Sequence, residues 1–149
     1  MATPPERAVD LISDEPLTAY VASASNETPH VTPVWYVYHE GRLEFFARGT
    51  LLSTLRENPT VAVTIPTDVP GYGDWHISMR GEATVIDDVE RINETARRLF
   101  PTYVDGWPDR WNVGTEKLTT HPDDALVVVN ARMLGSLSTT EGRSTSSRE

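Results

Sequence analysis

Trp75-His76-Ile77-Ser78-Met79-Arg80-Gly81-Glu82-Ala83-Thr84-Val85-Ile86-Asp87 is the stretch that decides the fold. Trp75, Ile77, Met79, Gly81, Ala83 and Val85 fall on one side of an extended chain, and His76, Ser78, Arg80, Glu82 and Thr84 on the other. Successive side chains of a strand point to opposite faces, so this alternation marks a strand with one buried face. Its flanks are readable too. Thr60–Ile65 reads as a strand, separated from it by a loop from Pro66 to Asp74 that holds Pro70-Gly71-Tyr72-Gly73. After it, Asp87 is positioned to cap a helix, with Glu90 completing an acidic capping box. Val89, Ile92, Ala96, Leu99 and Phe100 give that helix an apolar stripe, and Pro101 lies just beyond.

Further out, the period-two pattern recurs. Leu17–Ala24 is a small, apolar-rich run closed by a turn at Ser25-Asn26-Glu27-Thr28-Pro29. Val31–Tyr38 and Leu43–Arg48 form a hairpin across His39-Glu40-Gly41-Arg42, where Gly41 can take the left-handed conformation of a tight turn. Thr50–Asn58 changes period: Leu51, Leu52 and Leu55 share a helical face, Thr50 is placed to cap it and Pro59 to stop it. Ala125–Asn130 is a last, almost wholly apolar strand. A short helix is expected over roughly Glu6 to Ser13, residues 101–123 give no clear assignment, and 136–149 reads as a disordered polar tail after a domain spanning 1–135.

These strands and helices predict a mostly β fold with peripheral helices, its six short strands arranged in a closed or half-closed barrel. Closing a sheet on itself removes exposed edges. Val31–Tyr38 is apolar on both faces, with Val31, Pro33, Trp35 and Val37 on one and Val34, Tyr36 and Tyr38 on the other. One face can fill the barrel; the other needs a cover, and a second copy of the chain is the simplest one.

Composition narrows the function. The 149 residues suit one domain, carry a formal net charge of −9 from 22 acidic and 13 basic residues, and include no cysteine. An acidic balance argues against nucleic acid, whose binding rests on displaced counterions. Without cysteine there is no disulfide framework, thiolate metal site or thiol nucleophile. No apolar run approaches the ~20 residues that span a bilayer, and Pro4, Pro5, Glu6 and Arg7 stand where a signal peptide needs an apolar stretch. A cytoplasmic protein with no membrane and no nucleic-acid partner is expected. His30, His39, His76 and His121 share no metal-ligand spacing, and no serine sits in a nucleophile-elbow pattern.

Thr28-Pro29-His30-Val31-Thr32-Pro33-Val34-Trp35, the Gly41-Arg42 hairpin, Leu55-Arg56-Glu57-Asn58-Pro59 with Val61-Ala62-Val63, and Arg80 to Asp88 occur in an order and spacing that resembles the pyridoxamine 5′-phosphate oxidase-like, FMN-binding split-barrel family. The resemblance implies a six-stranded antiparallel split β-barrel that forms a homodimer with two FMN sites built from both subunits. By position it assigns Thr32, Pro33, Val34 and Trp35 to the surroundings of the flavin ring. It assigns Arg48, Gly49, Thr50 and Leu51 to the phosphate, and His76 to a polar position that reaches the flavin from the partner subunit. Physical reasoning agrees at one point: a helix start offers open N–H groups and partial positive charge to an anion, and Arg48 could add a charged contact. Leu51 stands where relatives carry a second cation.

The expected function is an FMN-dependent oxidoreductase acting on a small organic or cofactor substrate, with no catalytic side chain identified and no metal. The alternative is a non-catalytic protein that holds a flavin, a deazaflavin or haem for storage, sensing or delivery. His76, Ser78 and Arg80 could line a cleft or merely form the polar face of a half-buried strand. Trp107 and Trp111 could close over a planar ligand or pack against the barrel.

Overall fold

Asn26 and Glu27 take positive φ (52° and 62°), as do Glu40 and Gly41 (51° and 79°). Two consecutive left-handed residues make the turn whose twist suits paired strands, so each pair closes a hairpin. The structure, a computed structural model, describes residues 10, 12, 13, 15–67, 75–107 and 116–138. The first hairpin joins β1 (Ala19–Ser25) to β2 (Thr28–Val34), and the second joins β3 (Val37–His39) to β4 (Arg42–Ala47). Helix α1 (Gly49–Glu57) leads to β5 (Thr60–Thr67) and β6 (Trp75–Ile86), then α2 (Val89–Tyr103), β7 (Ala125–Asn130) and β8 (Arg132–Ser138).

Every strand pairing among the described residues is antiparallel. The sheet runs β2-β1-β5-β6-β7-β4-β3, with β8 also on β6. Its first and last strands, β2 and β3, are joined through Trp35 and Tyr36 alone. A sheet whose ends are tied by two residues must curl back on itself, and the result is the split barrel. β6 is the long strand of the system. It pairs with β5 along one edge and with β8 and then β7 along the other. Where β7 passes into β8, a Cβ at Gly81 would collide with the Asn130 carbonyl oxygen and lie 2.8 Å from Val129 Cγ1. Glycine there permits the close approach.

Val21, Leu43, Phe45, Val61, Val63, Ile65, Ile77, Met79, Val127 and Val129 fill the interior, and α1 adds Leu51 and Leu55 at one end. Asn58 ends α1 and fixes it to the sheet: its Nδ2 donates to the Ala24 carbonyl at 2.9 Å and its Oδ1 accepts from the Thr60 amide at 3.2 Å. Helix α2 covers the opposite face of β4 and β7, with Ile92 against Leu126 and Val128, and Leu99 and Phe100 beside Phe46 and Val37. β7 is therefore buried on both faces, which is why its sequence is apolar without alternation. Among the described residues, no helix is long and apolar enough to cross a membrane.

Several expectations need correction. Among the described residues eight strands are present where six were expected. Val31–Tyr38 is interrupted at Trp35 and Tyr36, because the chain leaves one end of the sheet there and joins the other, and β8 is an additional strand reaching Ser138 into the expected tail. Helix α2 is capped by Asp88, whose carboxylate accepts from the Arg91 amide at 2.9 Å, so Asp87 and the Glu90 capping box are displaced by one residue. Pro101 lies inside α2, which continues to Tyr103. Its place in the last turn limits the loss to a hydrogen bond near the helix end. Thr50 does not cap α1; Arg48 holds that position and makes no side-chain capping bond. Of the expected first helix, Asp10, Ile12 and Ser13 are helical; most of it, together with residues 68–74, Trp111 and 139–149, lies outside the described residues.

Candidate functional site

The crossing from β2 to β3 is tied down by aromatic side chains from α2. The Tyr103 hydroxyl donates to the Leu17 carbonyl at 2.6 Å and accepts from the Tyr36 amide at 3.3 Å. The Tyr36 hydroxyl donates to the Ile12 carbonyl at 2.6 Å. Trp35 stacks on Tyr103 (ring centroids 4.9 Å apart, 13° between planes) and meets Phe100 edge-on at 6.3 Å. Burial pushes the Tyr103 phenol up to about 12. Tyr36 is raised further, by burial and then by its proximity to Tyr103. Both phenols stay protonated at neutral pH and act as fixed donors.

Beside this crossing, between the end of β2 and the end of β4, lies a cleft of about 380 Å³. Thr32, Pro33, Val34 and Trp35 line it from the end of β2, and Phe46, Ala47 and Arg48 from the end of β4. Leu51 of α1, Leu99 and Phe100 of α2, and Thr120 and Asp124 of the segment before β7 complete the walls. Size and composition, apolar walls with a few polar groups at one end, match a small-molecule site. Phe46 stacks on Phe100 at 5.6 Å, which stiffens the apolar side.

The polar end is built from α1 and residues 116–124. Arg48 precedes the first turn of α1, which contains no acidic residue, and Gly49 takes φ +61°, a left-handed conformation that suits glycine. Helix-start N–H groups and their partial positive charge are thus left uncompensated by side chains of this turn. Arg48 is not free, however. Its Nη1 donates to Asp124 Oδ1 at 3.0 Å. Asp124 is buried and its Oδ2 also accepts from Thr120 Oγ1 at 3.5 Å. Lys117 Nζ donates to the Pro122 and Asp124 carbonyls at 3.0 and 3.1 Å, which holds the segment in place.

Of the residues singled out from the sequence, Thr32, Pro33, Val34, Trp35, Arg48 and Leu51 are gathered in the cleft. Gly49 and Thr50 are exposed at the start of α1 beside it. His76 is elsewhere: it pairs with Pro66 and Leu137 on the outward face of β6, in line with Ser78 and Arg80. That face continues through Thr64, Ala62, Tyr20 and Ala22 to Pro33 and Val31 in the cross-strand registers. Val31 is 66% exposed and Tyr20 42%. Trp107 packs on Phe100 at 5.7 Å. Sequence reasoning missed Phe46, Leu99, Phe100, Thr120 and Asp124 as cleft residues. In the sequence Asp124 stands beside Asp123 and directly before an apolar strand, where a carboxylate has to find a partner.

Solved structures share this fold at low identity. A conserved hypothetical protein of Mycobacterium tuberculosis matches with a TM-score of 0.72 at 17% identity, covering 93% of this chain and 86% of that one. HutZ, the haem storage protein of Vibrio cholerae, gives 0.65 at 14%, with coverage of 91% and 95%. An FAD-binding protein of Mesorhizobium loti gives 0.61 at 16%, with 86% and 90%. At these identities the likeness is one of fold. No curated protein matches the chain. The sequence profile of the family described as Pyridoxamine 5′-phosphate oxidase matches residues 5–137, from before β1 into β8, and the chain belongs to that family.

Proposed function

We propose that this protein is a cytoplasmic FMN-binding oxidoreductase that works as a homodimer on a small organic or cofactor substrate. The observation that carries the reading is the cleft itself, with apolar and aromatic walls at one end and Arg48 with the start of α1 at the other. A flat ring would lie along the apolar wall of Val34, Trp35 and Phe100, with its polar tail toward Arg48. When bound, the flavin supplies the electron transfer; the protein supplies position and electrostatics. Trp35 is held by Tyr103, so it can bound a planar ligand without rearranging. Leu51, Leu99 and Phe46 exclude water from the apolar end.

Dimerisation completes the reading. The row of Val31, Pro33, Tyr20 and Ala62, exposed, with half-buried Ala22 and Thr64 among them, is largely apolar, and a second copy seated on it would bring His76 of the outward face toward the partner's cleft. His76 would then serve as a polar donor at the ring's edge. The absorption spectrum of the purified protein tests the cofactor: flavin bands, or their appearance on adding FMN, are expected. If flavin is bound, anaerobic mixing with reduced nicotinamide is expected to bleach it. A haem Soret band, or a flavin that no donor reduces, would move the protein to the non-catalytic reading of storage, sensing or delivery, which the fold shared with a haem storage protein keeps in view. Light scattering is expected to give twice the chain mass, and a lone subunit would remove His76 from the site.

A further inference from the structure

Asp124 is an odd residue to find at the end of a cleft that is to receive an anion. Its carboxylate is 3% exposed and faces the same space as Arg48, whose guanidinium it engages at 3.0 Å. It is also fixed in place. Thr120 Oγ1 reaches its second oxygen, Lys117 Nζ holds its carbonyl, and its own amide donates to the His121 carbonyl at 3.1 Å. The side-chain charges that line the polar end are therefore one guanidinium and one carboxylate, with the helix start beside them and the Lys117 ammonium engaged on the backbone carbonyls of Pro122 and Asp124.

We propose that Asp124 is the residue that sets which charge the ligand's polar end can carry. The proposal rests on the reading of this cleft as the flavin site. A phosphate monoester can contact Arg48 in two ways. It can share the guanidinium with a carboxylate of like charge, or it can take the guanidinium and leave Asp124 buried with only the Thr120 hydroxyl. Both outcomes are unfavourable, because like charges in contact repel and a buried carboxylate stripped of its cation is costly. A neutral polyol demands neither. Its hydroxyls can donate to Asp124 and accept from Arg48 with the ion pair intact. The cleft thus discriminates weakly between a flavin ending in a phosphate and one ending in a hydroxyl, and Asp124 is the cause.

The test compares FMN and riboflavin binding by fluorescence quenching in the full-length protein and in Asp124→Asn. Asparagine keeps the shape and an oxygen for Arg48 while removing the charge. Asp124→Ser is the second variant should the first fail to fold. The FMN-to-riboflavin affinity ratio is expected to rise about tenfold or more when the carboxylate is removed, with riboflavin changing least. Inorganic phosphate, followed by thermal melting, gives a readout without flavin: it is expected to stabilise the variant more than the native protein. If neither flavin binds but the phosphate response separates the two proteins, the proposal holds and the flavin reading falls. If flavins bind and neither the ratio nor the phosphate response moves, the flavin reading holds and Asp124 has no part in selecting charge.

Discussion

Two carboxylates are buried among the described residues, and they are handled differently. Glu44 of β4 is 1% exposed, and its oxygens take Arg91 Nη2 at 2.7 Å and Thr95 Oγ1 at 2.6 Å. Arg91 Nη1 in turn donates to Thr95 Oγ1 at 2.7 Å, so the three side chains close a triangle between β4 and α2. Asp124 is 3% exposed, yet its arginine is 52% exposed where Arg91 is 26%, and its threonine contact is 3.5 Å long. The first arrangement satisfies its charges internally and touches nothing that could be a ligand. The second is loosely satisfied and opens on the cleft. A buried ion pair that contributes to the fold leaves no donor for another molecule, and one that serves a site has to.

The sharpest way to break this contrast is to remove each arginine. Arg91→Ala leaves Glu44 buried without its cation and is expected to cost about 3–5 kcal/mol, read from urea unfolding. Arg48→Ala is expected to cost about 1–2 kcal/mol, because the carboxylate it abandons borders a cleft that water can enter, and to weaken FMN binding at the same time. Equal losses in the two variants would make both pairs structural.

Acid tests the closed pair directly. Burial opposes ionisation of Glu44, but the hydrogen bonds from Arg91 and Thr95 and the charge of Arg91 outweigh it and hold the carboxyl below its ordinary value. The folded protein then binds fewer protons there than the unfolded chain. The stability that Glu44 contributes is present above the ordinary glutamate value of ~4.3 and is lost as pH falls below it, through the lower folded value. Glu44→Gln is expected to flatten that acid limb in unfolding measured from neutral pH downward. An unchanged limb would mean the triangle is not what responds to acid.

Much of this layout was legible beforehand, and the reasons it was incomplete are physical. The alternation of Trp75 to Ile86 gave the long strand, and Gly41 gave its hairpin, because both signals are local. Thr32 to Trp35 and Arg48 were picked out by resemblance, and the fold brings them to one cleft. Asp124 and Phe100 escaped because their partners, Arg48 and Trp35, lie far away in sequence. Glu44 sits in Leu43-Glu44-Phe45-Phe46, where an acid between apolar residues reads as the solvent face of a strand. It is instead covered by α2. Pro101 reads as a stop by its local geometry, whereas the packing of Tyr103 against Trp35 carries the helix past it.

The aromatic brace supplies an intermediate test of how far the site depends on its frame. Tyr103→Phe keeps the ring that stacks on Trp35 and loses the hydroxyl that joins Leu17 to the Tyr36 amide. A loss of about 1 kcal/mol in stability is expected, with tryptophan fluorescence nearly unchanged. A large spectral shift would show that the hydrogen bonds, rather than the stack, position Trp35. Any flavin affinity should then follow the position of the indole.

The finest comparison is between the two threonines. Thr95→Val removes a 2.6 Å hydroxyl contact to a buried carboxylate and leaves Arg91 short of an acceptor, so a loss at the low end of the ~1.5–3 kcal/mol range for charge-assisted bonds is expected. Thr120→Val removes a contact of 3.5 Å, at the limit of what a hydrogen bond can be, and should change stability by less than about 0.5 kcal/mol. Its effect belongs in binding instead. Without the hydroxyl, Asp124 depends on Arg48 alone, and an incoming phosphate must compete for that single contact, so FMN should lose affinity relative to riboflavin. If Thr120→Val proves as costly to the fold as Thr95→Val, the segment from Lys117 to Asp124 is scaffold, and the distinction between a closed pair and an open one does not hold.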